Sequence, residues 1–144
     1  MKKYKEPALA NIDQKYKIQL DVIKKKHEDN PEHYVNRLEA KYIYIFAIIM
    51  ALKYKLKPVE SKKKAWIFRT EGLKRDEESE TIFKSLIFSF KKDIKILLPE
   101  NYEEYYSIAE KLANAGMERT LKLLNSSDEI EKMILVESQK FLKN

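Results

Sequence analysis

Cysteine is absent from this chain of 144 residues, and glycine and proline are scarce, with two Gly and four Pro. Without cysteine the chain has no disulfides, no thiolate zinc sites and no cysteine nucleophile. Turn-rich β-sandwiches and barrels need many glycines and prolines, so the composition favours helices. Because Gly72 and Gly116 are the only glycines, the glycine-rich phosphate loops of Walker and dinucleotide-binding motifs are excluded.

The sequence also lacks the side-chain patterns that enzymes and metal sites use. Its two histidines, His27 and His33, flank the Asn30–Pro31 break without the helical spacing of metal-ligand pairs. No serine stands in a nucleophile elbow. The acidic clusters at 76–80, 100–104 and 128–131 coincide with expected helix starts, where acids stabilise the helix dipole. We therefore predict a non-enzymatic protein with no cofactor and no metal, and we identify no small-molecule substrate.

Long apolar segments are missing as well. Residues 1–7 carry the positive charge of a signal peptide, but no apolar stretch follows them, so a signal peptide is not expected. We expect these seven residues to be frayed. The longest apolar run, Tyr42–Leu52, is about half of the roughly 20 residues that cross a bilayer. These features predict a cytoplasmic protein that does not contact membranes.

The same run, Tyr42–Leu52, leaves no polar face on a helix, so it predicts a buried central helix over about 32–57. Apolar spacing and helix breakers predict further helices over 8–29, 76–98 and 102–124, with a break or kink at Gly116. A last helix after Asp128 presents Ile130, Met133, Ile134 and Phe141. Residues 59–75 are left open between helix, strand and loop. The prediction is one all-α domain over 1–144, a compact bundle of five to six helices.

Positive charge is present in excess, and it is concentrated in one stretch between Lys53 and Arg75. Nine basic residues against Glu60 and Glu71 give this stretch a net charge of +7, and since the whole chain carries +6, the remainder carries −1. Tyr54, Trp66 and Phe68 are interleaved with the basic residues. The predicted binding residues are Lys53, Lys55, Lys57, Lys62, Lys63, Lys64, Trp66, Arg69, Lys74 and Arg75.

Lysines neutralise backbone phosphates without reading sequence, and aromatic faces stack on unpaired bases. Base-specific reading of the major groove relies on Arg, Asn and Gln, which this stretch lacks apart from its two arginines. The leading prediction is a small binding protein that contacts a polyanion, above all the backbone of RNA or single-stranded DNA.

Three other interpretations remain open. The basic stretch could be a solvated loop with Trp66 and Phe68 as core anchors. It could bind an acidic protein, as an inhibitor or accessory subunit does, or an aromatic face could support a homo-oligomer. Finally, residues 107–124 contain IAEKL at 108–112 and LKLL at 121–124, and so resemble a DNA-binding helix-turn-helix, although Ala113 stands where the turn glycine is usual. That resemblance implies groove contacts by Arg119 and Lys122.

Overall fold

The computed structural model describes residues 4–30, 32, 36 and 38–125. This part of the chain is mostly helical, as predicted. Its elements in order are β1 (Leu9–Asp13), α1 (Gln14–Lys26), α2 (Ala40–Lys53), β2 (Lys64–Arg69), α3 (Glu71–Lys74), α4 (Glu77–Lys91) and α5 (Tyr102–Leu124). Two 3₁₀ turns, Ile94–Leu97 and Pro99–Asn101, connect α4 to α5. The two strands form a small sheet, so the all-α prediction is wrong in that respect.

Helix α2 is the buried element that the apolar run predicts. Every residue from Ile43 to Ala51 is buried, because a helix without a polar face is stable only when other elements surround it. The predicted bounds of 32–57 are wrong. The backbone is extended at Glu39, directly before α2, and Lys55 adopts a left-handed conformation (φ 52°) just after it. Residues 31, 33–35 and 37 lie outside the described residues.

Helices α2 and α5 pack closely at Gly116. A Cβ atom placed on Gly116 would lie 1.8 Å from the carbonyl oxygen of Ala47, so only glycine fits there. Helix α5 continues through this position without a turn, and Thr120 Oγ1 donates a hydrogen bond to the Gly116 carbonyl at 2.9 Å. Of the break or kink predicted at Gly116, the break is therefore wrong. The helix-turn-helix interpretation is corrected too, since residues 107–124 belong to one helix.

Strands β1 and β2 pair antiparallel, with Leu9 opposite Arg69 and Asp13 opposite Lys64. The predicted helix over 8–29 is thus wrong for 9–13, and α1 ends at Lys26. Ile12 fits the apolar stripe of a helix, but it is buried from a strand whose hydrogen bonds come from a distant segment. Residues 59–75, which the sequence left open between helix, strand and loop, contain strand β2 and then the short helix α3.

Helix α4 begins after Asp76, whose carboxylate accepts hydrogen bonds from the Ser79 N–H (3.2 Å) and the Tyr42 hydroxyl (2.7 Å). It ends at Lys91 because Lys92 is left-handed (φ 59°), so the prediction that it reaches residue 98 is wrong. The helix predicted after Asp128 lies outside the described residues.

Candidate nucleic-acid interface

The loop that carries Lys57, Lys62 and Lys63 is fixed to α5 at two points. The Val59 N–H donates to the Lys111 carbonyl at 3.0 Å, and the buried Asn114 side chain donates through Nδ2 to the Val59 carbonyl at 3.2 Å. Since a buried amide with partners on both sides holds its neighbours in place, the loop lies in a defined position on α5.

Asn114 also fixes the start of α1. Its Oδ1 accepts the Asp13 N–H at 2.8 Å, and the Asp13 carboxylate in turn accepts the Lys15 N–H (2.9 Å) and the Ser61 hydroxyl (2.8 Å). Burial acts to raise the pKa of Asp13, but these two hydrogen bonds and the Lys15 charge outweigh it and lower that pKa. Asp13 therefore joins β1, α1 and the loop as an ionised helix cap.

Strand β2 carries Trp66 on its solvent side. Trp66 is 54% exposed, while Ile67 and Phe68, which follow it, are both buried. The register explains this arrangement: Ala10 pairs with Phe68 and Asn11 pairs with Trp66, so Ile67 is an extra residue in β2. Such a bulge interrupts the alternation of a strand, and two consecutive side chains enter the core while Trp66 and Arg69 remain outside.

Three of the predicted basic residues already have carboxylate partners. Lys64 Nζ lies 2.8 Å from Oε2 of the buried Glu110, and Arg75 pairs with Glu71 one helical turn away. Lys74 pairs with Glu6. The charges of these three residues are therefore partly neutralised within the chain.

Glu6 is held in place from a second side, by the Tyr106 hydroxyl, which donates a hydrogen bond to it. Burial, together with the Glu6 carboxylate, raises the pKa of Tyr106, so that hydroxyl remains protonated. Residues 4–7 have no regular secondary structure, but this contact joins them to α5.

The other predicted basic residues differ in their surroundings. Lys53 is half-buried, with Nζ 5.5 Å from the centre of the Tyr54 ring. The rest are exposed, and no carboxylate of the described chain pairs with them: Lys55, Lys57, Lys62, Lys63 and Arg69. The unneutralised charge of the stretch thus belongs to the loop before β2 and to Arg69 at the end of β2.

Of the three interleaved aromatic residues, Trp66 has the most accessible ring. Phe68 is buried and meets the Tyr44 ring edge-on at 5.1 Å. Tyr54 is exposed, but the Arg119 guanidinium lies 4.3 Å from its ring centre and covers one face. We use the name β2 face for four exposed residues that precede or belong to β2: Lys62, Lys63, Trp66 and Arg69.

Sequence reasoning missed the residues that position the β2 face. Asp13 directly precedes a helix, and an aspartate before a helix is a usual capping signal, so it could have been found. Asn114 and Glu110 could not have been found in this way, because their partners are far away in the sequence. Asn114, for example, accepts a hydrogen bond from Asp13, 101 positions before it.

Comparison with protein-family models, with curated proteins and with solved structures finds no match. Among the described residues, no group of three His, Cys, Asp or Glu side chains could hold a metal ion, and His33 lies outside those residues. No helix of the described chain is long and apolar enough to cross a membrane. The observations that bear on function are therefore the exposure and charge of the β2 face.

Proposed function

We propose that this protein is a non-enzymatic binding protein whose β2 face holds single-stranded nucleic acid in the cytoplasm. The observation that carries the proposal is the exposed Trp66 on a strand, close in sequence to cations with which no carboxylate of the described residues pairs. An exposed indole is unusual for a folded chain that could have buried it, and a base is a flat partner that would cover it. The absence of cysteine suits a reducing compartment.

Binding divides into two tasks on this surface. A base stacks on the Trp66 indole, which contributes about 1–3 kcal/mol in comparable single-strand sites. Lys62 and Lys63, which precede Trp66 in the chain, and Arg69, which follows it, bind phosphates. The strand from Lys64 to Arg69 spans about 17 Å at 3.3 Å per residue, which accommodates a few nucleotides.

The same geometry favours a single strand over a duplex. In a duplex the bases are stacked on one another, so their faces are not available to Trp66. The residues that read base edges in the major groove do so from a helix or ribbon inserted into that groove. The exposed side chains of β2 are instead one indole and long cations, which contact phosphates and base faces without regard to sequence.

The test is fluorescence anisotropy with labelled single-stranded RNA, single-stranded DNA and duplex DNA at two salt concentrations. Trp66→Ala should weaken single-strand binding about 5- to 150-fold, the range that 1–3 kcal/mol corresponds to. The double variant Lys62→Glu/Lys63→Glu should also weaken binding, and the salt dependence should become shallower because fewer counterions are released.

A control of equal charge change is the double variant Lys92→Glu/Lys95→Glu, whose lysines are exposed near the end of α4, away from β2 in the sequence. Binding that falls equally in both double variants would show a general charge effect and contradict the assignment to the β2 face. If neither single-stranded RNA nor single-stranded DNA binds at low salt, the proposal is wrong. Recovery from lysate of one acidic protein whose binding depends on Trp66 would favour the alternative of an acidic protein partner.

A further inference from the structure

A second cationic site, outside the β2 face, lies where α2 ends beside α5. The Arg119 guanidinium, which belongs to α5, lies 4.3 Å from the centre of the exposed Tyr54 ring, and the ring restricts its orientation. Arg119 is itself exposed, and no carboxylate of residues 4–30, 32, 36 and 38–125 pairs with it. A guanidinium held over a ring keeps its N–H groups available, and these match the oxygens of a phosphate in two parallel hydrogen bonds.

The turn that ends α2 holds Lys55, which follows Tyr54, in a conformation that lysine rarely adopts. Lys55 is left-handed (φ 52°), and its N–H donates to the Leu52 carbonyl at 3.3 Å, while the Leu56 N–H donates to the Ala51 carbonyl at 2.8 Å. In this Schellman arrangement the left-handed residue is usually glycine, because a side chain is strained there. Lysine at this position adds an exposed cation next to Tyr54 in the chain. Since packing does not require an exposed side chain, the strain points to a binding role for Lys55.

Residues 54–64 join this site to β2 and lie along α5. Three contacts hold them there, given in chain order: Tyr54 with Arg119, the Val59 N–H with the Lys111 carbonyl, and Lys64 with Glu110. The chain therefore runs toward the start of α5 as it approaches β2. Residues 54–64 contain one acid, Glu60, and four exposed cations with which no carboxylate of the described chain pairs: Lys55, Lys57, Lys62 and Lys63.

The distance between the two ends of this path is short enough for one nucleic-acid strand to cover. Arg119 and Glu110 are nine residues apart in α5, which is about 14 Å along the helix axis at 1.5 Å per residue. A stacked strand advances about 3.4 Å per nucleotide, so roughly four nucleotides cover this distance. A strand of eight or more can therefore contact Trp66 and Arg119 at the same time, whereas a trinucleotide cannot.

We propose that a single strand bound at Trp66 continues along residues 54–64, and that Arg119 and Lys55 bind its phosphates at the far end. This inference rests on the proposed function, because it extends the site beyond the β2 face. The two ends differ in chemistry. Trp66 stacks on a base, whereas the Tyr54 ring is covered on one face by Arg119 and acts as a positioning residue for a phosphate contact.

Titration of Trp66 fluorescence with single-stranded RNA of three and of twelve nucleotides tests this path, because the only tryptophan reports binding at the β2 face for both lengths. Arg119→Gln should weaken binding of the twelve-nucleotide strand about tenfold, the effect of losing one charge-assisted contact. The slope of log Kd against log salt should fall by about 0.7, the value for one phosphate of a single strand. Binding of the trinucleotide should not change.

Lys95→Gln is the control with the same change of charge. Lys95 is exposed, and its carbonyl accepts a hydrogen bond from Asn101 Nδ2 at 2.7 Å, so it lies near the first residue of α5, while Arg119 is 17 residues further along that helix. Lys55→Gly provides a second variant that removes a cation and relieves the left-handed strain. It should keep or raise the Tm measured by circular dichroism and still weaken binding of the twelve-nucleotide strand.

The outcomes separate this inference from the proposed function. If Arg119→Gln binds the twelve-nucleotide strand as tightly as Lys95→Gln, while the strand still quenches Trp66, the extended path is overturned and the β2 face remains. An equal loss for both strand lengths in Arg119→Gln would also overturn the path, because a trinucleotide at Trp66 does not reach Arg119. If neither length quenches Trp66 in the unmodified chain, both the path and the proposed function are wrong.

Discussion

Gly116→Ala isolates the close packing of α2 on α5. Alanine is a better helix former than glycine by about 1 kcal/mol, so the change would stabilise an isolated helix. In the protein, however, the new Cβ would stand 1.8 Å from the Ala47 carbonyl oxygen and 3.0 Å from the Ala51 nitrogen. To bring the first contact to 3.0 Å, the two backbones have to separate by about 1.2 Å, the difference between the two distances. No rotamer change relieves a clash with backbone atoms.

Overpacking of a core costs about 1–3 kcal/mol and sometimes more. Because the propensity gain is smaller than this cost, we expect Gly116→Ala to lower the free energy of unfolding by about 2 kcal/mol, with a fall in Tm of about 8 °C. Urea and thermal unfolding followed by far-ultraviolet circular dichroism measure both. Trp66 fluorescence is a poor reporter of unfolding because that residue is already exposed.

Gly72→Ala is the matched control, since no atom lies within 4 Å of a Cβ at Gly72 and the residue is in α3. It should leave stability unchanged or raise it by about 0.4–1 kcal/mol. If Gly116→Ala were as stable as Gly72→Ala, the reasoning about the α2–α5 contact would be refuted.

Three further predictions concern the hydrogen bonds of Asn114, a helix cap and the β2 face. Asn114→Ala leaves the Asp13 N–H and the Val59 carbonyl without their partner and should lower the free energy of unfolding in urea by about 1–3 kcal/mol. An unchanged free energy would contradict a structural role for these two hydrogen bonds. Hydrogen bonds from Ser79 and Tyr42 lower the pKa of Asp76, so the ionised carboxylate stabilises the fold above about pH 4, and this stabilisation is lost as the pH falls further. Asp76→Asn should therefore lose less stability than the unmodified chain as the pH falls below about 4. Parallel plots of the free energy of unfolding against pH for the two proteins would argue against this. Trp66→Ala should change the free energy of unfolding by less than about 0.5 kcal/mol, because the indole is exposed, and a larger loss would make Trp66 a structural residue.

The central helix could be predicted because its signal is local. Eleven apolar residues in succession leave no polar face, whatever surrounds them, so burial follows from the run itself. The concentration of positive charge between Lys53 and Arg75 can also be found from the sequence alone, since it requires only a count of basic and acidic residues. The ends of the helix were missed because Glu39 and Lys55 leave the helical conformation at positions that no proline or glycine marks.

Strand β1 could not be assigned from its own residues. Ile12 fits an apolar helical stripe with Tyr16 and Leu20, and only the pairing with β2 decides otherwise. The same limit applies to the charges: Glu6 and Glu110 neutralise Lys74 and Lys64 from positions far away in the sequence. A charge count treats these lysines like the others, whereas the folded chain pairs them with carboxylates.

The most direct test of the β2 face is a fluorescence titration of Trp66, the only tryptophan, with unlabelled single-stranded RNA at low and high salt. A stacked base quenches the indole, and bound phosphates release counterions, so quenching should saturate at low salt and weaken steeply as salt rises. Duplex DNA at the same nucleotide concentration should quench less. Emission that stays constant with every strand form at low salt would contradict the proposal that Trp66 contacts nucleic acid.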